Sequence, residues 1–179
     1  GRIADHTNQN RITIGGNVCG SIIYRESVLP LLLSNSKVFI YDGTFEIEKN
    51  IDEIFNRKII LKDNEFITKF AIDTKYLDMP YIHVKKTKSD KIDYPLLTTT
   101  ALIDNNSLKI AFSGLCSFPF RSKKIEEILN NSNLNRENEL NEIIKNLPDS
   151  PMDNIDGSKK YREFVLKNTV NKVLDNFNL

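Results

Sequence analysis

The stretch LLTTTALID (96–104), NN (105–106), SLKIAFSGLC (107–116) holds two apolar runs rich in Thr and Ile, divided by two asparagines. Such runs read as strands, and paired asparagines favour a turn because they tolerate left-handed backbone. An antiparallel hairpin is therefore predicted. Upstream, YIHVKKTK (81–88) reads as a third strand. Downstream of Arg121 the pattern turns helical, in SKKIEEILNN (122–131), NRENELNEIIKNL (135–147) and SKKYREFVLKNTVNKVLDNF (158–177). In the last, Tyr161, Phe164, Val165, Val170, Val173, Leu174 and Phe177 recur at helical spacing and predict one apolar face. The segment PDSPMDNIDG (148–157) reads as the linker before it.

The first part of the chain has a different texture. Residues 1–8 read as the end of a helix, followed by a glycine loop and a short helical turn in YRESVLPLLL (24–33), limited by Pro30. KVFIYDG (37–43) reads as a strand ending in an Asp-Gly turn, with TFEIEK (44–49) returning as its hairpin partner. NIDEIF (50–55) suits a short helix capped by Asn50 or Asp52, and EFITKFAID (65–73) alternates as a half-buried strand. Strands thus come first and helices last, without βαβ alternation. The fold class is α+β, with mainly antiparallel sheet in residues 1–77 and a three-stranded antiparallel sheet packed on a three-helix bundle in residues 78–179.

The chain has 179 residues, 40% apolar and 27% charged, a mixture suited to a globular core. Lys and Arg number 25 against 24 Asp and Glu. That balance, with no basic stripe interleaved by aromatics, argues against a nucleic-acid binder. VLPLLL (28–33) falls far short of a membrane span, and GRIADHTNQN (1–10) lacks the apolar centre of a signal peptide. Cys19 and Cys116 read as reduced thiols of a cytoplasmic protein. His6 and His83 have no partner at ligand spacing, which disfavours a zinc site and a His-based triad.

One short motif stands out: ITIGGNVCG (12–20), two adjacent glycines inside an apolar and small-residue run. Glycine permits positive φ and removes Cβ, so consecutive N–H groups can converge on an anion such as a pyrophosphate. From the residues alone an ordinary turn is the plainer reading of the pair. No Gly-Lys-Ser/Thr follows, and G-x-G-x-x-G does not fit. The other polar candidates also have plain readings. Lys86 lies in a lysine run of the kind that usually forms a solvated face. Arg25 and Glu26 read as an exposed pair on a turn, Asp93 and Tyr94 as a loop end before Pro95. Arg121 and Tyr161 read as ties between the last helix and the sheet, and nothing in the sequence near Cys19 would activate it as a nucleophile.

Taken together, these segments resemble the FAD-binding subunits of the molybdenum hydroxylases, the family of xanthine dehydrogenase and carbon monoxide dehydrogenase. NRITIGGNVCGSIIYRESVLPLLL (10–33) resembles the family's T-I-G-G-N segment with its following acidic residue, proline and leucine-rich turn. The resemblance implies that Thr13, Ile14, Gly15, Gly16 and Asn17 lie against the FAD pyrophosphate. It also implies that Glu26, where relatives carry Asp, hydrogen-bonds the cofactor. Further matches are Ile67 as the aliphatic residue packed on the cofactor, with Lys86, Asp93 and Tyr94 near the flavin. Spacing to Asp93 selects Lys86 over Lys85. Ile3 would face the cofactor by its distance from the glycine segment. AFSGLCSFPFRS (111–122) resembles the family's G-G-x-x-x-x-P-x-R turn, and Tyr161 and Arg162 retain the Y-R of its closing helix.

What the resemblance implies is a PCMH-type FAD-binding domain's second subdomain over 1–77, then a CO dehydrogenase flavoprotein C-terminal-like domain over 78–179. The implied activity is that of an FAD electron-transfer module of xanthine dehydrogenase type. Electrons would arrive from a two-iron two-sulfur subunit and a molybdopterin subunit and leave to NAD. No A-G-G-type loop of the family's first subdomain is found, so a C-terminal portion of such a subunit is expected. The expectation from a different class is a non-catalytic subunit-docking fragment that does not bind FAD by itself.

Overall fold

In the computed structural model, residues 6–87, 94–130 and 134–179 are described. The fold is α+β, built on two separate main sheets. The chain begins with short helices α1 (His6–Gln9), α2 (Ile14–Cys19) and α3 (Val28–Leu33). Pro30 is the third residue of α3, inside the first turn, where its missing N–H has no intrahelical partner to lose.

The first sheet orders β2 (Glu46–Asn50), β1 (Lys37–Tyr41) and β5 (Phe66–Ala71), all antiparallel. Asp42 makes the β1–β2 turn as predicted: its carboxylate accepts from the N–H groups of Thr44 and Phe45, each at 2.8 Å, and Gly43 supplies a φ of +98°. Those two amides, donating to the exposed carboxylate, hold Asp42 below the usual carboxylate range. Between β2 and β5 lie α4 (Ile51–Ile54) and a small hairpin, β3 (Phe55–Asn56) with β4 (Lys58–Ile59). Val38 and Ile40 of β1 point inward against Val18, Val28, Leu31, Ile51 and Ile54.

The second sheet orders β6 (Tyr81–Thr87), β7 (Pro95–Asp104), β8 (Ser107–Ser113) and β9 (Phe120–Arg121). The Asn105–Asn106 turn takes φ values of +51° and +60°, the left-handed pair a tight hairpin needs. The fourth strand is a correction to the predicted three. The Pro119 turn sends Phe120 and Arg121 back to pair with Phe112 and Ala111. Just past this end of β8, Gly114 has φ +82° and a Cβ there would stand 3.0 Å from the Pro95 carbonyl oxygen. Only glycine fits that close strand-end approach.

One face of this sheet carries Val84, Leu97, Ala101, Ile110 and Phe112 and is covered by α5 (Lys123–Leu129), α6 (Arg136–Lys145) and α7 (Lys159–Phe177). Ser122, Asn135 and Ser158 cap these helices through their side chains, each worth about 1 kcal/mol. The apolar face of α7 is shifted from the predicted one. Arg162, Val165, Leu166, Thr169, Val170, Val173 and Leu174 are buried, whereas Tyr161 and Phe164 are exposed. The helix is rotated because Arg162 enters the core: its guanidinium donates to the Leu96 and Gly114 carbonyls and to Asn154 Oδ1.

The opposite face of the second sheet meets α3, which joins the two halves. Val28, Leu31 and Leu32 face the first core, and Leu29 and Leu33 pack on Leu102 and Ala111. Arg121 reinforces that seam rather than α7. It donates to the Leu32 carbonyl at 2.9 Å and pairs with Glu126 at 2.7 Å. No described helix is long and apolar enough to cross a membrane.

Candidate cofactor site at the junction of the two sheets

The glycine pair does not form a loop with positive φ. It lies in α2, a six-residue helix capped by Thr13, whose Oγ1 accepts from Gly16 N–H at 3.0 Å. Asn17 N–H closes onto the Thr13 carbonyl at 3.0 Å. The first-turn amides of Ile14 and Gly15 precede any intrahelical acceptor. A Cβ on Gly15 would meet nothing within 4 Å, so one side of this backbone is open. On Gly16 it would crowd the Thr13 hydroxyl at 3.0 Å and disturb the cap. Beside them, Ile12 and Ile14 remain exposed while Val18 anchors the helix in the first core. The backbone here is accessible through missing side chains and not through an unusual φ.

The connector from α2 to α3 brings the predicted acidic residue to the second sheet. Ser27 donates to the Asn17 side-chain oxygen, which ties α2 to the start of α3. One residue earlier, Glu26 is buried between the sheets, not exposed. Its Oε1 accepts from the Thr98 hydroxyl at 2.5 Å, and its Oε2 pairs with the Lys85 ammonium at 3.0 Å. Lys85 and Thr98 face each other across β6 and β7, on the side of the sheet that meets α3. Strand alternation puts the neighbouring Lys86 on the other side, where it is exposed. The lysine that the fold brings to Glu26 is thus Lys85.

Tyr94 reaches the same region by stacking on Tyr24, with ring centroids 5.0 Å apart. The Tyr24 hydroxyl donates to Asp156 Oδ2 at 3.2 Å. Burial, then the adjacent Asp156 carboxylate, raise that phenol above its ordinary value. A further bond runs from the Ser113 hydroxyl to the Ile23 carbonyl. Tyr24, Ser27, Lys85 and Thr98 are members of this cluster that the sequence reading did not select. For Lys85 and Thr98 a signal existed: both are polar residues in register on the same face of a predicted hairpin sheet.

Other predicted residues lie apart. Ile67, on β5 opposite Ile40, is half-buried against the first core. Ile3 and Asp93 fall outside the described residues. Arg25, read as an exposed partner of Glu26, is buried on the opposite side of the connector. It donates to the Arg57 carbonyl at 2.5 Å and lies 5.5 Å from the Phe55 ring centroid. Desolvation lowers the Arg25 pKa from its usual value. Cys19, at the end of α2, has its thiol pKa raised by burial despite the nearby Arg25 charge, so it carries less thiolate than an ordinary cysteine.

No protein-family model matches the sequence, and no curated protein matches it. Solved structures match it in shape. Quinoline 2-oxidoreductase from Pseudomonas putida 86 aligns over 97% of this chain and 62% of its own, with a TM-score of 0.80 and 15% identity. Carbon monoxide dehydrogenase from Hydrogenophaga pseudoflava, in a form lacking the Mo-pyranopterin moiety of the molybdenum cofactor, aligns over 97% of this chain and 63% of its own. Its TM-score is 0.81 and its identity 16%. Carbon monoxide dehydrogenase from Oligotropha carboxidovorans gives a TM-score of 0.77 and 14% identity over 97% of this chain and 63% of that one. The likeness is one of fold, and the chain spans a little under two thirds of the chains it matches.

Proposed function

We propose that the chain is part of the FAD-binding subunit of a molybdenum-hydroxylase-type oxidoreductase, a PCMH-type second subdomain over 1–77 and a CO dehydrogenase flavoprotein C-terminal-like domain over 78–179. The supporting observation is that the glycine helix and Glu26, ten residues apart in the motif, converge at one junction through Asn17, Ser27, Thr98 and Lys85. The fold likeness to oxidoreductases over 97% of the chain agrees with the motifs. The residues fit the cofactor's chemistry: open backbone at Gly15 for a phosphate, and a carboxylate for a hydroxyl donor.

In this reading Thr13, Ile14, Gly15, Gly16 and Asn17 line the pyrophosphate, with the Ile14 and Gly15 amides as donors. Glu26 accepts a hydroxyl of the cofactor, since each carboxylate oxygen has a second lone pair beyond its present bond. Lys85 and Thr98 fix that carboxylate in place. Lys85 keeps the junction's charge balanced, and Lys86, on the other face of β6, is a cofactor contact in this reading by the resemblance alone. Tyr94 lies at the edge near the flavin, and for Asp93, Ile3 and Ile67 a cofactor contact is carried by the resemblance alone. The chemistry that FAD supplies when bound is to take electrons from iron–sulfur clusters of a partner subunit, which adjoin a molybdopterin subunit, and pass hydride to NAD. The complex would be a cytoplasmic enzyme of the xanthine dehydrogenase type, and the isolated chain would not turn over substrate.

Gly15→Ala tests this reading because it separates folding from binding. A helical alanine in open space stabilises by up to about 1 kcal/mol relative to glycine. The methyl group nevertheless occupies the surface a phosphate must approach. FAD added to the chain should lose its fluorescence saturably, and Gly15→Ala should weaken that titration at least about tenfold while melting no lower. Equal FAD affinity in the variant, or no saturation by the parent at about 1 mM FAD, overturns the proposal.

A further inference from the structure

A groove of about 370 Å³ opens where the β3–β4 hairpin meets the turn from Phe118 to Lys123, a size typical of small-molecule sites. It is separate from the junction above: neither α2, Glu26, Lys85 nor Tyr94 lines it. Its walls are Phe55, Phe118 and Phe120 with Pro119 and Pro148, apolar and stiff. The Phe118 and Phe120 rings meet edge to face at 6.3 Å and are buried in the floor of the groove, while Phe55 is half-buried at its side.

Charge is arranged on this apolar wall with some care. Arg57 has φ +63°, a left-handed conformation uncommon for a long side chain and the type of strain that clusters at binding sites. The strained backbone is held from behind by buried Arg25, which donates to the Arg57 carbonyl. As a result the Arg57 guanidinium lies over the Phe118 ring, 4.6 Å from its centroid. Its ion pair with Asp149 is long, 3.7 Å, and its side chain is 60% exposed. Across the groove Lys123 is exposed and has no ion pair among the described residues. Arg121 is already matched by Glu126, and Asp52 is the one carboxylate in the lining.

A guanidinium stacked on an aromatic ring keeps its N–H edge free for bidentate recognition of a carboxylate. Half-buried Phe55, with Pro119 and Pro148, supplies apolar surface for a flat ring beside it. We propose that this groove binds a small aromatic carboxylate of one or two rings, anchored by Arg57 and assisted by Lys123. The site does not depend on the cofactor reading.

The test is a titration of the ¹⁵N-labelled chain with 2-naphthoate, followed by amide shifts, with 2-naphthalenemethanol and inorganic phosphate as comparison probes. Saturable shifts at Phe55, Arg57 and Phe118–Lys123 are expected for naphthoate, with the alcohol and phosphate at least about tenfold weaker. Arg57→Asn keeps a residue tolerant of positive φ and should weaken naphthoate at least about tenfold. Lys123→Gln, at an exposed position, should weaken it several-fold and serves if the first variant does not fold. Equal binding of acid and alcohol, parent affinity in the folded variants, shifts centred elsewhere, or no saturation by about 10 mM overturns the proposal.

Discussion

Replacing Lys85 by Met probes the polar junction most directly. Its ammonium lies 3.0 Å from Glu26 Oε2, with the two side chains 9% and 6% exposed. At an effective dielectric of 20 that separation corresponds to an attraction of about 5.5 kcal/mol. Removing two ions from water costs several kcal/mol each, so the intact pair adds little net stability. Deleting one member is a different matter, because the other stays buried without its counter-charge. Lys85→Met should therefore cost about 3–5 kcal/mol, a large share of the ordinary 5–15 kcal/mol of a folded domain. Glu26→Gln should cost a similar amount, although its amide oxygen still accepts from Thr98. The double variant, which removes both charges, should cost no more than either single variant, giving a coupling energy of at least about 3–5 kcal/mol by urea unfolding followed with far-UV circular dichroism. Additive losses, within about 0.5 kcal/mol, would refute the reasoning: the carboxylate would then be reached by water and held by something other than Lys85.

Two further outcomes follow from buried groups elsewhere. Arg162→Met should leave the Leu96 and Gly114 carbonyls unpaired in the interior, at about 1–3 kcal/mol each. A thermal scan should show melting lowered by roughly 6–15 °C, and a melting point within about 2 °C of the parent would contradict that anchoring role. Cys116 is fully buried, and its thiol is pushed up to about 12 from 9.0, chiefly by desolvation and then by Asp149. The folded state then retains a proton that the unfolded chain releases, so this contribution is complete below about pH 9 and is lost as pH rises toward 12. Cys116→Ser should flatten the decline of stability over that range, and iodoacetamide at pH 8 should label Cys19 but not Cys116 in the folded protein. Labelling of both at equal rates would show that the interior opens freely.

The elements legible in the sequence are those fixed by local chemistry. The Asp42–Gly43 turn, the Asn105–Asn106 turn and the three helices after Ser122 all form where turn residues and side-chain caps announce them. What was not legible depends on partners remote in the chain. β9 exists because the Pro119 turn returns Phe120 to Phe112, and a two-residue strand leaves no periodic signal. The buried face of α7 departs from the periodic one because hydropathy assigns Arg162 to solvent, whereas two distant carbonyls draw it inward. The glycine pair, read from sequence as a loop or an ordinary turn, is neither. Thr13, a good N-cap three residues before Gly16, instead starts a helix there.

The site shows the same division at finer scale. Glu26 was recognisable from its place after the glycine motif, but its burial came from Thr98 and Lys85, 72 and 59 residues away. Strand parity sets Lys85 on the face of β6 that meets Glu26 and Lys86 on the other, a distinction that sequence spacing does not carry. Parity along the connector has a further consequence. Arg25 and Glu26 are consecutive, yet Arg25 runs to the Arg57 carbonyl beside the seam groove while Glu26 runs to the second sheet. A movement of this short connector must disturb both ends, since neither side chain has solvent to relax into. A ligand that fixes Arg57 would thereby restrain Glu26 through two covalently adjacent residues and no longer path.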